Sequence, residues 1–145
     1  MSKRMKTVVC LFMSLLLMLP LNLIASAATV PEESQVQPRW SYTDITYVAI
    51  AIDGSGNASC LADVQGYYGT TTKIHIKLTL QKYTVLWWSK VQTWEATFNY
   101  YYGTLNPSTT VGNGTYRVKA EFTVYSGSNS EQITSFSQEK KFTKS

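Results

Sequence analysis

The sequence predicts an all-β protein, an antiparallel β-sandwich of about seven strands that follows an N-terminal signal peptide. Segments rich in β-branched and aromatic residues alternate apolar and polar side chains with a period of two, which is typical of half-buried strands. Glycine and asparagine separate these segments at short intervals. No segment repeats its apolar residues with the period of a helix, so helical fold classes are not expected.

The first 27 residues have the three parts of a secretory signal peptide. The basic start MSKRMK precedes an apolar stretch over residues 7–24, and Ala-Ser-Ala at residues 25–27 provides a cleavage site. The apolar stretch is long enough to span a bilayer as an uncleaved anchor. Pro20 and Asn22 near its end favour cleavage instead, so we expect a secreted, extracellular protein.

Cleavage leaves a chain that suffices for one domain but not for two. Three of the thirteen basic residues belong to the signal segment, so ten basic residues remain against nine acidic ones. Because the charges nearly balance and no long run of lysine or arginine occurs, the mature chain lacks the basic surface that nucleic-acid-binding proteins usually have. No second long apolar stretch follows, so we expect no membrane contact after cleavage.

The mature chain begins with a polar, aperiodic segment, residues 28–39, which we interpret as a flexible leader before a sandwich domain over residues 40–145. The first strand is predicted over residues 42–52, and the turn DGSGN connects it to the second strand, ASCLADVQGY. The third strand, residues 72–82, alternates most clearly. Its predicted core face carries Ile74, Ile76, Leu78 and Leu80, and its predicted water face carries His75, Lys77, Thr79 and Gln81.

The next segment, YTVLWWSKVQTWEATFNYYYG over residues 83–103, carries eight aromatic residues in 21 positions. Adjacent Trp87 and Trp88 point to opposite faces of a regular strand, so only one of them can face the core unless a bulge intervenes. The alternation around Trp94 predicts that its side chain lies in the core.

Tyrosines are concentrated where strands are predicted to end. Tyr100, Tyr101 and Tyr102 follow the aromatic strand, and alternation directs at least one of their rings outward. Tyr67 and Tyr68 lie at the end of another strand. The predicted sandwich therefore presents tyrosines at its loops.

The remaining chain predicts three further elements. The segment GTLNPSTTVGNG contains Pro107 and has room for one short edge strand. TYRVKAEFTVY alternates over its whole length, and a last strand is predicted around EQITSFSQEKKF.

The motif NGTYRVKAEF resembles the start of the sixth strand of immunoglobulin-like and fibronectin type III sandwiches, where Gly-x-Tyr forms a tyrosine corner. The resemblance implies that Tyr116 is the corner residue. It also implies that Val118 and Cys60 occupy the two positions that a disulfide joins in antibody domains, with Trp94 replacing the usual core tryptophan from a different strand. The valine argues against the antibody subfamily but not against the sandwich.

The chain as a whole, with its signal segment, tryptophan pair and GTYRV strand, also resembles short secreted proteins of clostridial Gram-positive bacteria whose domain has no assigned function. This resemblance implies secretion and implies no activity.

Few residues suit catalysis or metal binding. His75 is the only histidine and lies on the predicted water face, and Cys60, the one cysteine of the mature chain, is expected to be a buried apolar residue. The stretch from Asp53 imitates the first half of a calcium loop, but Ala58 and Val64 occupy the positions that require glycine and glutamate. We therefore expect no metal, no cofactor and no enzyme activity. Glycoside hydrolysis requires a pair of carboxylates, and the candidates for such a pair are Asp44, Asp63, Glu95 and Glu121.

The main functional prediction is a secreted, non-catalytic binding module that recognises cell-surface carbohydrate or protein through exposed aromatic rings. The candidate binding residues are Trp87, Trp88, Tyr100, Tyr101 and Tyr102. A simpler interpretation is that these rings cover the edges of the sandwich. Two further alternatives are a small antagonistic, bacteriocin-like protein whose aromatics seek membranes, and an enzyme of unknown type.

Overall fold

The computed structural model describes residues 39–145. The predicted signal peptide, residues 1–27, and residues 28–38 of the predicted leader lie outside the described residues. The described chain forms nine strands, and it contains no helix that could cross a membrane. The strands are β1 (Thr43–Ile52), β2 (Asn57–Gly66), β3 (Lys73–Thr84), β4 (Trp87–Phe98), β5 (Tyr102–Leu105), β6 (Ser108–Thr110), β7 (Gly114–Ser126), β8 (Asn129–Phe136) and β9 (Lys140–Phe142).

The strands form two antiparallel sheets, which confirms the predicted antiparallel β-sandwich. The small sheet has the order β1-β2-β5, with β6 also paired to β2, and the large sheet has the order β4-β3-β7-β8, with β9 also paired to β7. In the lettering of immunoglobulin-like sandwiches these sheets are A-B-E and C′-C-F-G. The count is nine because strands E and G are each interrupted, E at Asn106 and Pro107 and G at residues 137–139.

The core is formed by alternate residues of β2, β3 and β7. The four apolar residues of β3 that were predicted to face the core are fully buried, and those of β7 are buried as well. Thr79, which was predicted to face water, is buried on the outer face of the large sheet, where its hydroxyl lies 3.1 Å from that of Thr93. Thr79 lies between Thr93 of β4 and Lys119 of β7, the two strands that flank β3, so strand parity alone overstated its exposure.

A bulge in β4 places Trp88 and Trp94 on different faces of the sheet. The pairing of β3 with β4 shifts between Leu80 and Gln81, so that Val91 is inserted as an extra residue. Trp94, opposite the buried Leu78, is on the inner face and packs against the core. Trp88, opposite Tyr83, is on the outer face. It is an even number of residues from Trp94, so a regular strand would have placed both side chains on the same face.

The fold contains the hydrogen bond that defines a tyrosine corner. The Tyr116 hydroxyl donates to the carbonyl of Gly112 over 2.8 Å, and the ring is only 2% exposed. Cys60 on β2 and Val118 on β7 are both fully buried in the core. Burial raises the pKa of the Cys60 thiol to about 11, so at neutral pH the residue is an uncharged apolar side chain.

Candidate functional site

Strand β4 separates the predicted binding aromatics into two groups. Trp87 and Trp88 begin the strand, whereas the three tyrosines at 100–102 follow its last residue, Phe98. Twelve residues of extended chain span roughly 35 Å, so the two groups lie at opposite ends of the sandwich. We call them the hairpin end, around the β3–β4 turn, and the tyrosine end, around the β2–β3 and β4–β5 connections.

At the tyrosine end, two loops that are distant in sequence bring their rings into contact. Tyr68 packs edge-on against Tyr101 with 5.2 Å between ring centroids, and Tyr101 lies 4.5 Å from Tyr100. Tyr68 is 83% exposed and Tyr100 is 57% exposed, so each keeps a ring face open to solvent. These three residues form the tyrosine cluster.

Backbone hydrogen bonds hold the two loops of the tyrosine cluster in place. The N–H of Gly66 donates to the carbonyl of Tyr101 over 2.7 Å, which ties the end of β2 to the β4–β5 connection. The β2–β3 connection forms a turn in which the N–H groups of Thr70 and Thr71 both donate to the carbonyl of Tyr67. Gly69 takes a positive φ of 79° in this turn, a conformation that suits glycine. The rings are therefore mounted on an ordered backbone.

Polar groups on the outer face of the small sheet flank the tyrosine cluster. Tyr102 is on this face rather than in the cluster, and its hydroxyl lies 2.6 Å from that of Thr104. Thr104 in turn donates to the Asp63 carboxylate over 2.7 Å. Beside them, the Gln65 amide donates to the Asp44 carboxylate over 3.4 Å. Hydroxyl, amide and carboxylate groups thus lie next to exposed aromatic rings.

A hydrogen bond inside the tyrosine cluster affects the ionisation of Tyr101. A hydrogen bond with Tyr100 raises the pKa of Tyr101, and the proximity of the Tyr100 charge at high pH adds to the shift. The Tyr101 hydroxyl is therefore protonated at neutral pH and can both donate and accept hydrogen bonds.

At the hairpin end, Trp88 is already covered on one face. The Arg117 guanidinium lies 4.2 Å from the Trp88 ring and 4.5 Å from the Phe136 ring, so it is stacked between the two. Its Nε donates to Oε1 of Gln81 over 2.9 Å, and Tyr83 packs against Trp88 with 5.2 Å between centroids. This stack occupies Trp88 and leaves Trp87 as the exposed tryptophan of the pair.

Arg117 was not among the candidate site residues that the sequence predicted. The stack joins three strands, and Phe136 is separated from Trp88 by almost 50 positions in the sequence. The signal that was available is the outward position of an arginine in a sheet that also contains an aromatic-rich strand, here β4, which β3 separates from β7.

His75 has partners that its neighbours in sequence do not supply. Its Nδ1 lies 3.0 Å from the Thr97 hydroxyl, and its Nε2 lies 3.6 Å from the Glu95 carboxylate, both across the β3–β4 pair. The group lies on the open outer face of the large sheet and both side chains are substantially exposed. A hydroxyl, imidazole and carboxylate are present in a row, but the water that surrounds them weakens any activation of the hydroxyl.

The candidate acid catalysts do not converge on one cleft. Asp44 and Asp63 belong to the small sheet. Glu95 and Glu121 are on the large sheet on either side of Lys77, two strands or about 10 Å apart. Glu95 and Glu121 line one open depression of this face, but Lys77 lies between them and Lys119 is paired with Glu121 over 3.1 Å. Glycoside hydrolysis needs two carboxyl groups that face each other across a bound sugar, without a lysine between them.

The calcium-like stretch is a capped turn. The Asp53 carboxylate accepts hydrogen bonds from the N–H and hydroxyl of Ser55 and from the N–H of Asn57, at 2.6 to 2.9 Å. The hydrogen bond from the Ser55 hydroxyl is the main cause of a lowered Asp53 pKa, followed by that from Asn57. Within residues 39–145, no three histidine, cysteine or acidic side chains are grouped so that they could hold a metal ion.

Comparison with protein-family models finds no match for this chain, and comparison with curated proteins finds no significant relative. The resemblance to secreted clostridial proteins therefore stays a prediction, and the site is interpreted from its own geometry.

Proposed function

We propose that this chain is an exported, non-catalytic binding module whose tyrosine end recognises carbohydrate on a cell surface. The observation that carries the proposal is the tyrosine cluster, in which Tyr68, Tyr101 and Tyr100 meet from two ordered loops. Tyr68 and Tyr100 keep ring faces open to solvent. A flat aromatic face stacks on the C–H face of a sugar ring, while nearby polar groups bind its hydroxyls. The flanking Asp63, Gln65 and Thr104 provide such groups.

The position of the cluster in the fold also supports a binding role. The tyrosine end carries the B–C and F–G connections of the sandwich, which is the end at which antibody variable domains carry their antigen-binding loops. Tyrosine supplies a large contact area at a low cost in side-chain entropy, which is why it is enriched in such loops. The rigid sandwich then acts as the support for a preorganised surface.

The proposal is tested by retention of the chain after predicted cleavage, residues 28–145, on purified peptidoglycan, insoluble polysaccharides and mucin. We compare the wild type with a Tyr68→Ala, Tyr100→Ala double variant. If each ring contributes as a binding hot spot of about 2 kcal/mol, its loss weakens binding roughly 30-fold, and the double variant is no longer retained. Trp87→Ala removes an exposed ring at the other end and is the matched control.

Retention that the double variant loses and Trp87→Ala keeps supports the proposal, provided that both variants show the wild-type circular dichroism. A wild type that binds none of the matrices would contradict carbohydrate recognition and would favour a protein ligand for the same loops. Equal retention of wild type and double variant would show that the ligand binds elsewhere on the sandwich.

A further inference from the structure

The tip of the β3–β4 hairpin exposes three consecutive apolar residues. Val85 is 89% exposed, Leu86 is 78% exposed and Trp87 is 61% exposed. Turns normally carry glycine, asparagine, aspartate or serine, and a run of exposed apolar residues at a turn has no benefit for folding. No residue other than glycine has a positive φ in the described backbone, so the turn has ordinary geometry and does not require apolar side chains at these positions. Their exposure indicates a contact made outside the chain.

The side chains behind the tip follow the order of groups across a membrane interface. The Tyr83 and Trp88 pair lies about 7 Å behind the tip, counted along the strand. The backbone of the row formed by Gln81, Lys90 and Arg117 lies about 13 Å behind it, and from this row the Arg117 side chain reaches the Trp88 ring. From the tip backwards, apolar residues are followed by aromatic rings and then by basic groups. This order matches that of the acyl chains, the interfacial belt and the anionic headgroups of a bilayer.

Charge is segregated along the sandwich, so the near-neutral overall balance conceals a basic end, and membrane contact, which was not expected from the sequence, has to be considered. The basic side chains at the hairpin end are Lys82, Lys90, Arg117, Lys140, Lys141 and Lys144. Only two acidic residues, Asp53 and Glu139, lie in the turns of this end. The rest of the described chain carries four basic and five acidic residues. The near-neutral mature chain thus has one basic end, which includes the apolar tip.

We propose that the hairpin end docks on an anionic lipid bilayer, with Val85, Leu86 and Trp87 inserted at the interface and the surrounding lysines and arginine on the headgroups. A second copy of the chain is a poorer occupant, because contact between two tips brings two basic ends together. Docking also leaves the tyrosine end roughly 35 Å from the lipid surface and directed away from it. This proposal does not depend on the carbohydrate proposal, because the two ends share no residues.

The test is co-sedimentation of residues 28–145 with vesicles of phosphatidylcholine alone or mixed equally with phosphatidylglycerol. This chain contains the whole sandwich and omits the predicted signal segment, which would bind lipid by itself. The expected result is binding to the mixed vesicles that is at least severalfold tighter than to phosphatidylcholine and that weakens between about 50 mM and about 500 mM salt. Quenching of tryptophan fluorescence by brominated lipid then reports insertion.

Two matched variants add the same charge at opposite ends. Leu86→Asp is expected to weaken binding to the mixed vesicles roughly tenfold or more, since it replaces an inserted apolar side chain by a carboxylate. Tyr68→Asp, at a residue as exposed as Leu86, is expected to bind as the wild type does. A Lys140→Gln, Lys141→Gln variant is expected to lose part of the salt-dependent affinity.

The proposal is overturned if the wild type does not sediment with the mixed vesicles, or if Leu86→Asp and Tyr68→Asp bind equally well. Sedimentation velocity tests the remaining explanation, which is that the tip binds a second copy of the chain. Concentration-dependent dimers that Leu86→Asp abolishes, without vesicle binding, would show that the tip is a contact between copies and would also overturn the proposal.

Discussion

Replacement of Tyr116 by phenylalanine isolates the one hydrogen bond that identifies the tyrosine corner. The hydroxyl donates to the Gly112 carbonyl over 2.8 Å, and the rest of the ring is buried in the core. Tyr116→Phe keeps the buried ring and removes only the oxygen. The change in stability therefore reports the hydrogen bond and not the packing of the aromatic ring.

The expected magnitude follows from what happens to the two partners. Gly112 is exposed, so water satisfies its carbonyl after the substitution and no buried acceptor is left without a partner. The loss is then that of an ordinary intramolecular hydrogen bond, about 1 kcal/mol. For a domain of 107 described residues, this corresponds to a decrease in Tm of roughly 4 °C.

The assay is urea denaturation followed by tryptophan fluorescence, with thermal unfolding by circular dichroism as a second measurement. Tyr47→Phe is the control, because Tyr47 is exposed on the outer face of the small sheet, and it is expected to change stability by less than about 0.5 kcal/mol. A Tyr116→Phe midpoint equal to that of the wild type would refute the reasoning, since the corner would then contribute nothing to the fold.

Three other predictions concern packing in the sandwich. Gly103→Ala is expected to lower stability by about 1 to 3 kcal/mol in urea denaturation, because its Cβ would lie 2.5 Å from a phenylalanine ring of β4. Cys60 is expected to react with Ellman's reagent only after unfolding in guanidinium, since the thiol is buried and its pKa is raised to about 11. Arg117→Lys is expected to cost about 1 kcal/mol and to change the tryptophan emission, because lysine cannot keep the planar stack between Trp88 and Phe136.

Each of these predictions has a control or an outcome that contradicts it. Gly54→Ala places a Cβ in open space and is expected to be nearly neutral, so equal effects at Gly103 and Gly54 would contradict the packing argument. Reaction of the folded protein with the reagent at the rate of a free thiol would show that the sheets open far more readily than a packed core allows. Unchanged emission and stability in Arg117→Lys would show that the stack is not maintained in solution.

The fold was predictable because most of its information is local. The alternation of Ile74, Ile76, Leu78 and Leu80 defined the inner face of β3 without any knowledge of its neighbours, and the Gly-x-Tyr motif identified the start of β7. The interruption of strand E at Pro107 follows from the missing N–H of proline. The same residue had suggested only one short strand in the sequence analysis.

The arrangement of the sites was less predictable because it depends on register and on long-range pairing. The bulge at Val91 reverses the parity of β4, so Trp88 and Trp94 occupy opposite faces, and no local signal marks its position. The candidate binding residues were grouped because they are close in sequence, yet an extended strand separates Trp87 from Tyr100 by most of the length of the molecule. The contact between Tyr68 and Tyr101 arises from the sheet pairing. The sequence predicted tyrosines at the loops but did not predict this contact.

The measurement that tests the central proposal most directly is an amide NMR titration of residues 28–145 with a soluble fragment of whichever glycan retains the protein. Carbohydrate recognition at the tyrosine end predicts that chemical shift changes concentrate in the β2–β3 and β4–β5 connections, around Tyr68, Tyr100 and Tyr101, and spare the β3–β4 hairpin. Shift changes that concentrate at the hairpin end, or on the outer face of the large sheet around His75, would contradict the proposed binding site.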